Sequence, residues 1–453
     1  MKKLTIILTL LSVTFAFLYS DETGDASGDS QKTAAYKEQV LEALKYGIDS
    51  EVVSHFQELG RSPGDDILRL IVDRYNLVKL NNTKLEYVNY FSNIKNPPAY
   101  LTDTLYKEAS DDYIDKQALL SIINAFAKIG GLREGKYLIG KIDNPDKMIA
   151  DAAAQALIQM KIRDLAGDIL DRLVKSDEDV EHFLDIDVKN KLILALGEMG
   201  AAEAIPYLRE IISNGSNDKY SIMYGMVSLA KLKDKESLDA LYNNLGHAEV
   251  KVQEYASYSI SLFEGAEVLP YLNKMMLHNN EKVRIDACKG LALNKDKSAI
   301  PILSYKFRKD PSSKTRSEAI SSMFVMETEG VAEIKKIYEK QKITPDILNI
   351  LCDVAAKKPD AYNVEYIKEL FINSDKKNKE IIAKRIIYTT SNLLDEVIRL
   401  LLVSEDYLFR LGGLKAVSTI ENCGLWDVVS YMVQNDKVET VKRYAAKIQS
   451  LKN

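Results

Sequence analysis

Small residues recur along this chain at a near-constant interval, with an apolar residue usually four positions before and four after. Ile149-Ala153-Leu157, Val252-Ala256-Ile260 and Val283-Ala287-Leu291 show the pattern fully. Thr315-Ala319-Met323, Leu348-Cys352-Ala356 and Phe409-Gly413-Val417 fit or nearly fit, and Val188-Leu192-Leu196 and Ser221-Gly225-Leu229 are looser. With Ala383 and Ala445 the markers stand at 153, 192, 225, 256, 287, 319, 352, 383, 413 and 445, so the steps are 39, 33, 31, 31, 32, 33, 31, 30 and 32. Residues four apart share one face of a helix. A small residue in the middle of that face suits a place where another helix comes close. The acidic stretch 176–187 is expected to absorb the one long step.

Residues 280–303, NEKVRIDACKGLALNKDKSAIPIL, show what one unit contains. Asn280 is placed to cap a helix, since its side-chain oxygen accepts from free backbone N–H groups. Val283, Ala287 and Leu291 form the apolar stripe. Asn294-Lys295-Asp296-Lys297-Ser298 breaks it, and Pro301 stands near the start of a second helix, where its missing N–H costs nothing. Ile300 and Leu303 begin a second stripe. Helices of this length are marginal alone in water, so the hairpin needs neighbours. The second helix repeats independently: Ala204-Ile205-Pro206-Tyr207-Leu208 and Val268-Leu269-Pro270-Tyr271-Leu272 parallel Ala299-Ile300-Pro301-Ile302-Leu303. The prolines differ by 64 and 31, two repeats and one. Two markers with one period predict a solenoid.

The pattern resembles the short bacterial HEAT-like repeats, the type also found in phycobilisome-lyase-related proteins. Val283-Arg284 with Ala287 and Leu291, then Ala299-Ile300-Pro301 and Leu303, carry the resemblance. Ala195-Leu196-Gly197 with Gly200, then Ala204-Ile205-Pro206, carry it again. It covers roughly residues 108 to 453. It implies an all-α fold, a right-handed α-solenoid of HEAT-like helical hairpins, in a family that mostly provides binding surfaces. It also implies a bond to a neighbouring repeat from the arginine after the leading apolar residue, present as Arg284, Arg316 and Arg410. Gln253, Ala150 and Lys189 stand there in other repeats and interrupt the ladder.

In chain order, residues 1–20 read as a secretory signal peptide: Lys2 and Lys3, then sixteen apolar-rich residues from Leu4 to Tyr19, too short for a membrane span. Residues 21–32, rich in Asp, Ser and Gly, read as a flexible acidic leader. Residues 33–110 are helical but fit the repeat poorly, and are expected to form an N-terminal helical cap of degenerate repeats, with a separate small domain as the alternative. Ser50 is expected to cap a helix there. Residues 111–453 are expected to form the solenoid, ending on a lone helix.

Without the signal the chain has 59 basic and 66 acidic residues, a net charge of −7. That balance argues against nucleic acid and anionic lipid as partners. Lys376-Lys377-Asn378-Lys379 reads as a solvated turn. Three cysteines cannot make a disulfide framework. Cys288 and Cys352 lie on repeat helices and read as small buried apolar residues. Cys423 falls in a turn, where exposure would make it a candidate regulatory thiol. Gly130-Gly131-Leu132-Arg133-Glu134-Gly135-Lys136 has P-loop spacing, but Tyr137 follows where a magnesium-binding hydroxyl belongs and a helix precedes it. These glycines are expected to turn one helix into the next. His247 and His278, 31 apart, fall on equivalent turns of adjacent repeats. No metal site, cofactor site or catalytic constellation is assigned.

Solenoids commonly bind along a concave face lined by second helices. Alignment on Pro206 gives two outward rows: Tyr207, Ala240, Tyr271 and Ile302, and Glu210, Asn243, Lys274 and Tyr305. Tyr207, Glu210, Asn243, Tyr271, Lys274 and Tyr305 are therefore the candidate contacts for a protein or peptide partner, tyrosine being enriched at interfaces. Packing between neighbouring second helices would bury the same rings. The reading is an exported, periplasmic or envelope-associated scaffold or assembly factor that is not an enzyme and touches membrane only through its signal peptide. The alternative is a module for envelope polymer or a membrane surface, and after it a bilin-lyase-type enzyme.

Overall fold

Every small marker of the repeat lies buried in the middle of a helix. The computed structural model describes residues 38–214, 218–340 and 343–450, and all regular elements among them are helical. The signal peptide and acidic leader lie outside the described residues. The chain divides into two units within the Leu132–Lys141 helix, one ending at Leu138 and the other beginning at Ile139.

In the first unit the Asn81–Phe91 helix packs on Lys116–Ile129 and on Asp49–Ser54. Its core is aromatic. Phe56 stacks on Tyr90 at 4.3 Å between ring centroids and meets Tyr87 edge-on at 5.0 Å, while Tyr75 meets Phe91 edge-on at 5.5 Å. Ser50 does not cap: the helix begins at Asp49 and its cap position, Ile48, makes no side-chain bond. Gly130 closes Lys116–Ile129 through its N–H to the Phe126 carbonyl, and the Gly131 N–H donates to Glu134 at 2.8 Å. The P-loop-like glycines are thus a helix-to-helix turn.

The second unit is an α-solenoid. Its first helices pack each on the next, from Lys147–Met160 through Ile186–Glu198, Lys219–Lys231, Val250–Ser261, Glu281–Leu293, Ser313–Val325, Pro345–Lys357, Lys376–Ile386 and Tyr407–Val417 to Glu439–Gln449. Asp146, Asp185, Asp218, Asn280, Ser312, Thr344, Asp375 and Asp406 cap eight of them by accepting backbone N–H groups. Pro206, Pro270 and Pro301 occupy the first turns of second helices. The surplus residues of the long step lie between Ala166–Glu178 and Ile186–Glu198, around a 3-10 turn at Val180–His182. The Lys376 cluster is not a turn. It forms the first turn of a helix capped by Asp375, and Lys376 reaches Asp406 at 3.1 Å.

Side-chain size sets how closely the first helices approach. A Cβ on Gly197 would stand 2.6 Å from the Ser228 Cα, and one on Gly290 3.2 Å from the Ser261 Cα. Ser228 donates to the Ile193 carbonyl and Ser322 to the Cys288 carbonyl, both at 2.9 Å, so these two buried hydroxyls are satisfied by the preceding repeat.

Two ion pairs, one buried at Arg284 and one half-buried at Arg410, fix how particular repeats meet. Arg284 donates from Nε and Nη2 to Asp310, both at 2.9 Å, and from Nη1 to the His278 and Asn279 carbonyls. Arg410 does the same with Asp436, at 2.7 and 2.9 Å, and with the Ser404 and Glu405 carbonyls. Burial pushes the Asp310 carboxyl up, but the Arg284 bonds and the Ser312 N–H outweigh it and hold it below its ordinary value. Asp436 is held low against burial by Arg410 and the Val438 N–H. Such groups stabilise the fold above the unfolded carboxylate pKa, and the contribution is lost as pH falls through the depressed folded values.

Gly197→Ala is expected to destabilise the second unit by about 1–3 kcal/mol through overpacking, even though alanine favours helix; urea unfolding measures it. Asp310→Ala leaves Arg284 buried and unpaired, and should cost about 3–5 kcal/mol at neutral pH. It should also shrink the loss of stability below about pH 4, as unfolding curves at neutral and acid pH would read.

Candidate partner-binding face

The second helices pack against the first-helix stack on one side and carry their polar and aromatic residues on the other. On Leu238–Asn243 and Leu269–Met275 these residues form one group. The Tyr271 hydroxyl donates to Asp239 at 2.6 Å, its ring lies 5.6 Å from that of Tyr242, and the Lys274 ammonium sits 5.5 Å from the Tyr242 centroid. A cation over a ring at this distance is a favourable contact. The phenol of Tyr271 is pushed up, first by its bond to Asp239 and then by burial.

Tyr207 is half-buried, and its hydroxyl donates to Asp177 on the preceding second helix at 2.9 Å. Burial, reinforced by Asp177, raises its pKa strongly. Glu210, Asn243 and Tyr305 are exposed, Tyr305 at 56%. Of the six candidate contacts, Tyr271 and Lys274 are brought together around Tyr242, and Tyr207 is tied sideways to the neighbouring repeat. Tyr242 escaped the sequence reading because it occupies neither outward row, although it is one residue from Asn243.

Further along, a groove of about 500 Å³ opens between Glu327–Lys340 and Ala361–Asn373, lined by Val331, Ala332, Tyr362 and Tyr366 and bridged by Lys335 to Glu369 at 2.6 Å. These helices lack the proline that aligns the other second helices, so none of the candidate contacts falls in this groove. Its signal was Tyr362, Glu365, Tyr366 and Glu369 at helical spacing.

The tyrosines with raised pKa values stay protonated near neutral pH, so they offer hydrogen bonds and ring faces rather than proton transfer. The thiols are unactivated. Burial pushes Cys352 up to about 12 and, with the Asp395 carboxylate adding to it, Cys423 up to about 11. Cys423 lies in a turn but is only 6% exposed, so the exposure that a regulatory thiol there would need is absent. His247 and His278 play one structural role: each Nδ1 accepts the N–H two residues on, at 3.0 Å. Among the described residues no group of three or more His, Cys, Asp or Glu is placed to hold a metal ion. No helix among them is long and apolar enough to cross a membrane.

Residues 188–214, one hairpin of the stack, match the family model of the PBS lyase HEAT-like repeat. The second unit is built of HEAT-like repeats. Solved structures similar to this chain include one of Kap95p binding RanGDP, at 12% identity over 92% of this chain and 67% of that one, with a TM-score of 0.47. Importin beta is similar at 11% identity over 92% of this chain and 62% of that one, with a TM-score of 0.44. YibA of Escherichia coli is similar at 16% identity over 62% of this chain and 98% of that one, with a TM-score of 0.38. These are likenesses of fold. No curated protein matches the sequence.

Thiol titration of the native protein at neutral pH should find none of Cys288, Cys352 and Cys423 reactive, and all three reactive in denaturant; a native Cys423 that reacts at once would contradict its burial.

Proposed function

We propose that this chain is a non-enzymatic scaffold or assembly factor that binds a protein or peptide partner along the second-helix face of its HEAT-like repeats. The observation that carries the reading is the row of aromatic groups on successive second helices: Tyr271 beside Tyr242 with Lys274 over the Tyr242 ring, exposed Tyr305, and the groove at Tyr362 and Tyr366. Large, rigid amphipathic rings bury much area at little entropic cost, which suits a contact surface. A stable interface of ordinary size covers about 800 Å² on each partner, and several successive second helices together supply that. The apolar run after Lys2 and Lys3 supports export, to the periplasm or envelope.

Capture from a gently solubilised native envelope fraction should recover a partner with the wild-type protein. Tyr271→Ala with Lys274→Ala should fold normally and capture at least about tenfold less. Undiminished capture by the folded double variant would remove this cluster from the interface. Elution of the wild type alone would sink the scaffold reading. N-terminal sequencing of the purified protein should find it beginning after residue 16 or 20.

A further inference from the structure

The arginine ladder has a gap, and the gap is a cavity. Arg284, Arg316 and Arg410 hold one register, and the two outer ones each grip a carboxylate 26 positions further on, Asp310 and Asp436. For Arg316 that register falls on Lys342 in the sequence. Its Nη1 still reaches back six residues, to the Asp310 carbonyl at 3.4 Å, as the other two reach their own loops. Its Nε donates to a carboxylate in both sister residues, but here it is out of solvent with no acceptor. The Tyr338 hydroxyl is likewise buried without a partner.

Both side chains line a cavity of about 290 Å³ whose rim carries Arg308 and Lys309, exposed at the end of the Ile300–Lys309 helix. Among the described residues no carboxylate makes an ion pair with Arg308, Lys309 or Arg316. Asp346 also lines the cavity, on the first turn of Pro345–Lys357, without reaching them. A guanidinium in this setting costs free energy until a planar anion meets its fork. Tyr305 stands one turn before Arg308 on the same second helix.

We propose that this cavity receives an aspartate or glutamate side chain from the partner, which takes at Arg316 the place that Asp310 and Asp436 hold in the sister repeats. The Tyr338 hydroxyl supplies a further donor, and Arg308 and Lys309 draw the acidic segment in. The inference rests on the scaffold reading and gives its partner a chemistry: an acidic segment anchored where the ladder lacks its carboxylate.

Isothermal titration with a capped peptide that alternates Asp with Gly and Ser tests it on the full chain. The peptide should bind, with affinity falling at higher ionic strength, and its Asn analogue should bind at least about tenfold more weakly. Arg316→Gln should weaken the Asp peptide by a similar factor and leave the urea midpoint in place. Arg316→Lys should recover only part of the affinity, since an ammonium lacks the planar fork. If Arg316→Gln does shift the midpoint, Arg308→Gln with Lys309→Gln, at exposed positions, should still weaken the peptide. No binding, equal binding of the Asn analogue, or unchanged binding by the folded Arg316→Gln variant overturns the proposal. Inorganic phosphate competing as well as the peptide would make this a pocket for free anions and overturn the acidic-segment assignment. Envelope capture reports separately on the scaffold: capture that Arg316→Gln leaves unchanged sinks this site and spares the scaffold reading, whereas absence of any captured partner sinks the scaffold reading and with it the partner assignment, even where the Asp peptide binds.

Discussion

The stacking of the first helices is the interaction on which the second unit depends. A helix of about 13 residues is marginal by itself, and here each one is stabilised by lying against its predecessor and successor. The approach is close enough that backbone meets backbone: at Gly197 and Gly290 there is no room for a Cβ toward the next and the preceding helix. Ala153, Ala256, Ala287, Ala319 and Cys352 are fully buried for the same reason. Because the first helices are covered on most sides, the second helices are left to form a face that is apolar inward and polar or aromatic outward.

Close packing leaves little room for unsatisfied polar groups, and the repeats meet that constraint with short local devices. Buried serines donate to carbonyls of the preceding helix, and capping aspartates accept the free N–H groups of the next. The Arg284–Asp310 and Arg410–Asp436 pairs are a stronger form of this. A buried ion pair adds little net stability compared with an apolar equivalent, but breaking one is expensive. Such pairs therefore fix how one repeat sits on the next more than they hold the fold together. The same chemistry explains why Arg316 stands out, since it has the register of the other two and lacks their carboxylate.

The outward face has a different character. Its tyrosines are bound to neighbouring carboxylates, as Tyr207 is to Asp177 and Tyr271 to Asp239, which holds their rings in place while leaving part of each accessible. Burial at Tyr207, with Asp177 adding to it, and the Asp239 bond at Tyr271 keep the phenols protonated. Fixed, neutral rings beside lysines suit recognition of shape and charge, and this is the physical ground for the binding role proposed above.

Much of this architecture was legible in the chain itself. Val283, Ala287 and Leu291 announce a helix face, Pro301 a helix start and Asn280 a cap, because each depends on local sterics and hydrogen bonding. Repetition at about 32 residues turns such local signals into a stack. The sequence also placed tyrosines on the second helices. It did not reveal that Tyr242, outside either aligned row, joins Tyr271 and Lys274, nor that Cys423 is buried. It placed Lys376 to Lys379 in a turn, whereas Asp375 caps a helix there. Local propensity and period determined which segments are helical and how often they recur. Contacts between residues about 26 to 34 apart decided the rest: which tyrosines remain open, which thiols are covered, and which arginine lacks its carboxylate. Those outcomes depend on what neighbouring repeats bring together across the packed interior, and no single repeat encodes them.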